Sequence, residues 1–506
     1  MSSTPATAAA AGDDMGKPPP PRPDIATHYI RYSVTNGAVM LLGFISFPIL
    51  TRFLDNTEFG ILRYYDTLML LGVALIKFGA PHAIVRFYPY EGGAAELRRF
   101  GTNFVMMAIV LSVAMWAVLA TGLVVVKWSA DGGLHPLLLI ALTMIPLLAV
   151  TNIVQMVMRA SERSDTLMST RIIARFLELV FVLGAVVLVQ QSALSVYAGK
   201  VIAIVLVLGW LAYWMYRNVS VSMGDIDVRS FRNGLLYGVP LMANELSASV
   251  LANMDRVLIK HITGDFSMVG IYAIGYALAM QLNVFINATL SEAFTPVVMR
   301  TYEAGGSSAV RELKARILHP MTYAVTAIVA MLLVSGEDLL IALSGRDKSA
   351  SGEVFVVVGI TISIYAMFAI SNYGLQLKKR TLPVLGITLL ATALNMGLNF
   401  FLIPRMGYMG AAWATAASYA ALCILQFLVC PRGLARLPEP RTALIACGCA
   451  AGLVAVARGL DMFGLENVWA RLAAGGLMFV VLYAIPALAL DSKLRATARG
   501  LKERLL

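Results

Sequence analysis

Charge is scarce in this chain. Only 14% of its 506 residues are Asp, Glu, Lys or Arg, and 59% are hydrophobic, for a mean hydropathy of +0.76. Soluble globular chains carry about 25% charged residues, so the string of soluble domains that the length alone would suggest is excluded. Cysteine is scarcer still. Cys423, Cys430, Cys447 and Cys449 are the whole complement, all in apolar stretches, and they form no CxxC pair with metal spacing and no disulfide framework. The five histidines make no HExxH, and no GxxxxGK[ST] loop is present. The expectation is a protein without a metal, a cofactor, ATP hydrolysis or enzymatic chemistry. The loops between apolar runs stay under about 25 residues, which leaves no soluble catalytic domain. The Pro- and Ala-rich residues 1–27 lack the apolar centre of a signal peptide and read as a disordered tail.

What is abundant is long apolar sequence. Fourteen segments of about 20 residues fall at 32–52, 64–85, 101–126, 136–158, 168–189, 193–216, 236–258, 266–290, 318–343, 353–376, 382–403, 408–430, 441–459 and 468–490, each long enough to cross a ~30 Å hydrocarbon core as a helix. The runs are continuous rather than alternating, which excludes a β-barrel, and lipid gives backbone groups no other partner than their own helix. The fold class predicted is all-α integral membrane with 14 transmembrane helices. Basic residues orient it: 27 fall in the two tails and the segments after even-numbered spans, and ten in the opposite loops. The positive-inside rule then predicts that both termini of a multi-pass membrane protein are cytoplasmic. The net charge of +11 thus records topology and gives no reason to expect nucleic acid.

The first six spans resemble the next six in order. Thr51-Arg52-Phe53-Leu54 matches Asp255-Arg256-Val257-Leu258, Phe59-Gly60 matches Val269-Gly270, Ala149 to Asn152 matches Ala369 to Asn372, and Leu188 to Ala193 matches Leu402 to Gly407. An even number of spans per unit makes the halves parallel, and paired bundles of this kind hold substrate at their interface and work by alternating access. The organisation predicted is a tail (1–27), two parallel-repeat six-helix lobes (28–217 and 233–431), two extra C-terminal helices (440–490) and a basic tail (491–506).

Ionisable residues inside spans are costly and mark function by default. Lys77, Arg175 and Lys200 are candidates to bind an anionic substrate, with Asn152, Asn287 and Asn372 as hydrogen-bonding partners. Arg175 also sits three residues before Glu178, a spacing that suits a helical ion pair. Arg52, Asp255 and Arg256, at equivalent ends of spans 1 and 7, are candidates for an outer gate. Glu245 has no charged neighbour within a helical turn. A lone buried carboxylate exchanges protons near neutrality, so Glu245 is the candidate for ion coupling.

The stretch Asn395 to Tyr419, with Asn399, Pro404, Gly407, Gly410, Ala411 and Ala412, resembles a recurring signature of bacterial polysaccharide flippases of the Wzx type. Asn36-Gly37 with Pro48 to Arg52 and Glu58-Phe59-Gly60, and Asp255-Arg256 with Val269 to Tyr272, resemble the same family. It belongs to the multidrug/oligosaccharidyl-lipid/polysaccharide exporter superfamily. Physically, Pro404 would end span 11, the two glycines would permit a tight turn, and the alanines would allow close helix packing. The resemblance implies a V-shaped, two-lobe transporter with a cationic cavity. Such a protein moves an isoprenoid-diphosphate-linked oligosaccharide across the inner membrane for surface polysaccharide synthesis, such as lipopolysaccharide or exopolysaccharide, coupled to an H+ or Na+ gradient. Expected partners are that lipid-linked oligosaccharide, membrane lipids and the polysaccharide polymerase machinery, around a monomer. The rivals are a multidrug exporter or lipid II flippase of the same superfamily and, from another class, a membrane-embedded polymerase or glycosyltransferase.

Overall fold

The computed structural model describes residue 37 and residues 41–505 except 132–134, 379, 432 and 461–464. Side chains at 127, 129–131, 285–293, 296, 381, 498 and 500–505 also lie outside the described set. The expected disordered tail therefore falls outside the described residues. The first half of the chain forms α1 (Leu41–Phe53), α2 (Asn56–Ile76), α3 (Ala80–Arg86), α4 (Ala94–Phe100), α5 (Met107–Asp131), α6 (Pro136–Ala160), α7 (Ser164–Leu188) and α8 (Ala193–Asn218). The second half forms α9 (Val228–Thr263), α10 (Phe266–Ser344), α11 (Ser351–Ser371), α12 (Gly374–Leu377), α13 (Thr381–Met406) and α14 (Tyr408–Val429). Two further spans follow, α15 (Pro440–Gly459) and then α16 (Val468–Met478) with α17 (Ile485–Leu490); α18 (Ser492–Leu505) closes the chain. Among the described residues there is no strand.

Twelve of these helical stretches are long and apolar enough to cross a membrane. The two remaining predicted spans are α1, whose earlier residues are not described, and α7, on which Arg171, Arg175 and Glu178 fall within one apolar stretch. α10 holds two spans. Its ends both return to the α1–α2 turn: Phe266 packs against Gly60, and the carbonyls of Ala342 and Leu343 accept bonds from Arg52. The chain therefore folds back along its length, and the break is at Gly306, at φ 64°.

Three features position the lobes. At the predicted outer end α2 and α10 cross with their backbones touching. A Cβ on Gly60 would lie 1.9 Å from the Phe266 carbonyl oxygen, and one on Gly270 would lie 1.8 Å from the Asn56 carbonyl oxygen. Each glycine meets the residue four before the other, which is the reciprocity expected of a two-fold-related contact. Further along α2 the helix breaks: Lys77 caps it, Phe78 and Gly79 take positive φ (45° and 77°), and α3 begins with Pro81 in its first turn. This break puts Gly79 against Gly238 of α9, where a Cβ would lie 2.3 Å from the Gly79 carbonyl oxygen. Third, residues 219–227, which join the lobes, are tied to the first lobe. Asn103 donates to the Asp225 carbonyl (2.9 Å) and accepts from the Asp227 N–H (2.6 Å), and Arg98 pairs with Asp225 at 2.6 Å.

In the signature region Pro404 does not end its span. The helix runs on to Met406 and stops at Gly407, φ 57°, because a proline in the last turn removes only its own N–H while the glycine supplies the left-handed residue. Gly410 then passes within reach of the Leu402 carbonyl, where a Cβ would sit at 2.5 Å, and Ala411 and Ala412 are fully buried.

Beyond the last span, Asp491 caps α18 through the N–H groups of Lys493 and Leu494 and accepts from His319 and Tyr323, both at 2.9 Å. Burial alone would raise its carboxyl, but these hydrogen bonds outweigh it and lower it from 3.8 to about 2. The stabilisation this supplies is present above the unfolded value and is lost as pH falls through the folded one.

Gly60→Ala is expected to cost on the order of 1–3 kcal/mol by overpacking, seen as a lowered Tm in detergent. Gly209→Ala, with nothing within 4 Å of its added methyl, should leave the Tm unchanged or slightly raised. Equal Tm values for both variants would contradict the backbone crossing.

Candidate functional site

Between the lobes lie two charged cavities. The first, of about 380 Å³, is walled by α1, α2, α7 and α8 on one side and α9 and α10 on the other. Four cations line it, Arg63, Arg175, Lys200 and Arg256, against two carboxylates, Asp66 and Glu178. Three of the cations have a carboxylate partner. Lys200 Nζ is 2.7 Å from Asp66, which also accepts from the Tyr197 hydroxyl at 3.2 Å; Arg63 reaches the other Asp66 oxygen only at 3.5 Å; and Arg175 pairs with Glu178 at 2.7 Å. Arg63 Nε is buried without a partner among the described residues.

Arg256 differs. It is 7% exposed, donates to Asn253 Oδ1 (3.0 Å) and the Ala252 carbonyl (3.2 Å), and lies over the Tyr276 ring at 4.5 Å. Among the described residues it has no carboxylate partner. A stacked, hydrogen-bonded guanidinium facing a cavity is held ready for an anion.

The second cavity, of about 590 Å³, lies beyond the α2–α3 break. Lys77, His82, Arg86 and Tyr90 face Asn152 and Arg159 of α6 and Tyr237 and Glu245 of α9. Lys77 Nζ is 3.4 Å from Glu245 and 3.5 Å from Asn152 Oδ1, and His82 Nε2 is 3.3 Å from the second Glu245 oxygen. Glu245 is thus not the lone carboxylate its sequence neighbourhood suggests. It bridges the lobes to two partners that lie 168 and 163 residues away in the chain.

The candidate residues therefore divide. Arg175, Lys200 and Arg256 share one cavity; Lys77, Asn152 and Glu245 share the other. Arg52 joins neither, and ties α1 to the end of α10 through the carbonyls of Ala342 (2.7 Å) and Leu343 (3.0 Å). Asp255 is fully buried inside the second lobe, accepting from Tyr272 (2.5 Å), Thr415 (2.8 Å) and Asn399 (2.7 Å). Beside it Asn395 Nδ2 and Asn399 Oδ1 have no partner among the described residues. Asn372 donates to the Cys423 carbonyl and lines a separate cavity with Gln376 and Gln426, and the Asn287 side chain lies outside the described residues. Arg63, which the sequence assigns to an outer loop, and its partner Asp66 complete the first cavity. Their i, i+3 spacing was the available signal.

Two six-helix lobes with charged cavities between them, followed by two further spans, make an all-α fold whose helices are long and apolar enough to cross a membrane. Residues 26–302 match the family described as polysaccharide biosynthesis protein, and the chain belongs to it. Among curated relatives, "Lsg locus putative protein 1" of Haemophilus influenzae is 22% identical over 75% of this chain and 93% of its own length. "Probable multidrug resistance protein NorM" of Caulobacter vibrioides (25%) and "Probable flippase AglR" of Haloferax volcanii (28%) match 37% and 38% of this chain. Each of these two is matched over only 40% of its own length. In fold, the chain resembles "Lipid II flippase MurJ, inward closed conformation", with a TM-score of 0.71 at 10% identity over 92% of this chain and 99% of that one. A multidrug MATE transporter, inward-facing, follows at TM-score 0.63 and 13% identity, over 78% and 96% of the two chains.

Lys200→Gln and Asp66→Asn should each lower stability, and the double variant should lose less than their sum. A double-mutant cycle read by thermal unfolding is expected to give a coupling of about 1–3 kcal/mol. Strict additivity would separate the two side chains.

Proposed function

We propose that this protein is a flippase of the bacterial inner membrane, with both termini cytoplasmic, that carries an isoprenoid-diphosphate-linked oligosaccharide outward for surface polysaccharide assembly. The observation that carries this reading is the first cavity: four cations against two carboxylates, an excess that suits the two charges of a diphosphate. Arg256 supplies the unpaired cation, and Arg63, Arg175 and Lys200 exchange part of their carboxylate contact for phosphate oxygens. The lobes then rock, opening the cavity to one side at a time. The name of one relative, "Probable flippase AglR", supports a flippase. The same cavity suits the diphosphate of lipid II, so the glycan separates these readings, whereas a cation excess opposes the cationic compounds that a multidrug exporter of this class would carry.

Coupling to a proton or sodium gradient needs a carboxylate whose charge is not already balanced. Glu245 is held by Lys77 and His82, while the hydrogen bonds to Asp255 among the described residues come from the neutral Tyr272, Asn399 and Thr415, and the neighbouring Arg256 makes no ion pair with it. The physical criterion that singled out Glu245 in the sequence therefore favours Asp255. No reacting group is needed in such a cycle, which is binding, reorientation and release.

In proteoliposomes, wild-type protein should translocate a fluorescent polyprenyl-diphosphate-linked oligosaccharide, and Arg256→Gln should slow it at least tenfold. Export of a cationic dye in place of the lipid-linked compound would overturn the assignment. Asp255→Asn should abolish the response to an imposed gradient and Glu245→Gln should retain it; the reverse pattern would return coupling to Glu245.

A further inference from the structure

The diphosphate assignment leaves the second cavity unexplained. Three cations, Lys77, Arg86 and Arg159, line it against the single carboxylate of Glu245, with His82 as a further donor. Lys77 follows Asp66 by eleven positions on α2, about 16 Å at the α-helical rise, so one diphosphate does not serve both cavities.

Two features indicate the missing ligand. First, a carboxylate already sits there. Glu245 reaches across the cleft to Lys77 at 3.4 Å and His82 at 3.3 Å. Both contacts are longer than a well-formed charge-assisted hydrogen bond. The Lys77 side chain is 9% exposed and that of Glu245 45%, so the cation is fixed and the carboxylate is the exchangeable partner. Second, the remaining walls suit a sugar. Tyr90 and Tyr237 offer rings and hydroxyls, and Asn152 an amide, around about 590 Å³, within the range of small-molecule sites.

We infer that this cavity is a second substrate subsite, for a carboxylate-bearing sugar such as a uronic acid in the glycan head. The sugar carboxylate replaces Glu245 on Lys77 and His82. Glu245 keeps Lys77 compensated until then, and its displacement breaks an interlobe bridge as the acidic sugar arrives. The inference rests on the lipid-linked glycan reading and adds to it the charge of the glycan.

The test uses the full chain in nanodiscs and two polyprenyl-diphosphate trisaccharides that differ only in a glucuronate or a glucose at one position, with the undecorated polyprenyl diphosphate as a third probe. Wild-type protein should bind the glucuronate compound at least tenfold tighter than the glucose compound. Lys77→Gln should reduce that preference below twofold. Glu245→Gln, which removes the internal competitor, should tighten the acidic compound severalfold and so supplies a readout that misfolding does not mimic. Equal affinity of wild-type protein for the two trisaccharides overturns the acidic-sugar subsite while leaving the diphosphate reading standing. Failure to bind any of the three probes overturns both.

Discussion

A charge placed between two membrane-embedded lobes needs a partner. That constraint accounts for most of what the interlobe space contains. Lys200 and Arg63 share Asp66, Arg175 has Glu178 three residues on, and Lys77 takes Glu245 from the facing lobe. Removing one member of such a pair leaves the other uncompensated, at a cost that exceeds the value of the pair itself. Lys200, Arg63, Arg175 and Lys77 are therefore held in place by contacts that a stronger or better-placed anion can replace. Arg256 is the exception that gives the first cavity its direction, because stacking on Tyr276 and two neutral acceptors hold it without neutralising it.

At two places the lobes approach closely enough for their backbones to touch. Gly60 crosses Gly270 at the predicted outer end, and Gly79 meets Gly238 beyond the break in α2. Small residues let helices approach closely where lipid offers no hydrophobic drive for association. The outer crossing is seconded by Arg52 on the last carbonyls of α10, a cation placed at a helix C-terminus. On the other side of the cleft the Gly79–Gly238 contact is joined by the Glu245 bridge to Lys77 and His82. The pinning of residues 219–227 to Asn103 and Arg98 makes the connecting segment part of the first lobe. Gly234, Gly238 and Pro240 follow it in the first half of α9, where Gly234 and Gly238 pack on the first lobe.

The architecture was readable because hydrocarbon thickness imposes span length, and span length shows in composition. The repeat was readable at Phe59-Gly60 and Val269-Gly270, the pair that the structure brings into reciprocal contact. So was the Arg175–Glu178 pair, whose spacing lies within one helix. What was hidden depended on tertiary distance. Nothing near Glu245 in the chain announces Lys77 or His82, and nothing near Lys200 announces Asp66, 134 residues away. The break after Ile76 left a trace in Gly79 and Pro81, yet the apolar run continues through it and reads as one helix. Asp255 looked like a gate residue beside Arg256, but adjacent positions on a helix point about 100° apart. One turned to the cleft and the other into the lobe.

The account stands on the lobes moving relative to each other when the glycan arrives, with opposite changes at the two ends of the cleft. Spin-label distances measure this directly, using a pair at Glu91 and Glu303 and a pair at Thr57 and Arg405, all exposed. With a polyprenyl-diphosphate-linked oligosaccharide added to protein in nanodiscs, the first distance should change in one sense and the second in the other. Distances that stay fixed at both ends, or that lengthen together, would contradict an alternating, two-lobe flippase.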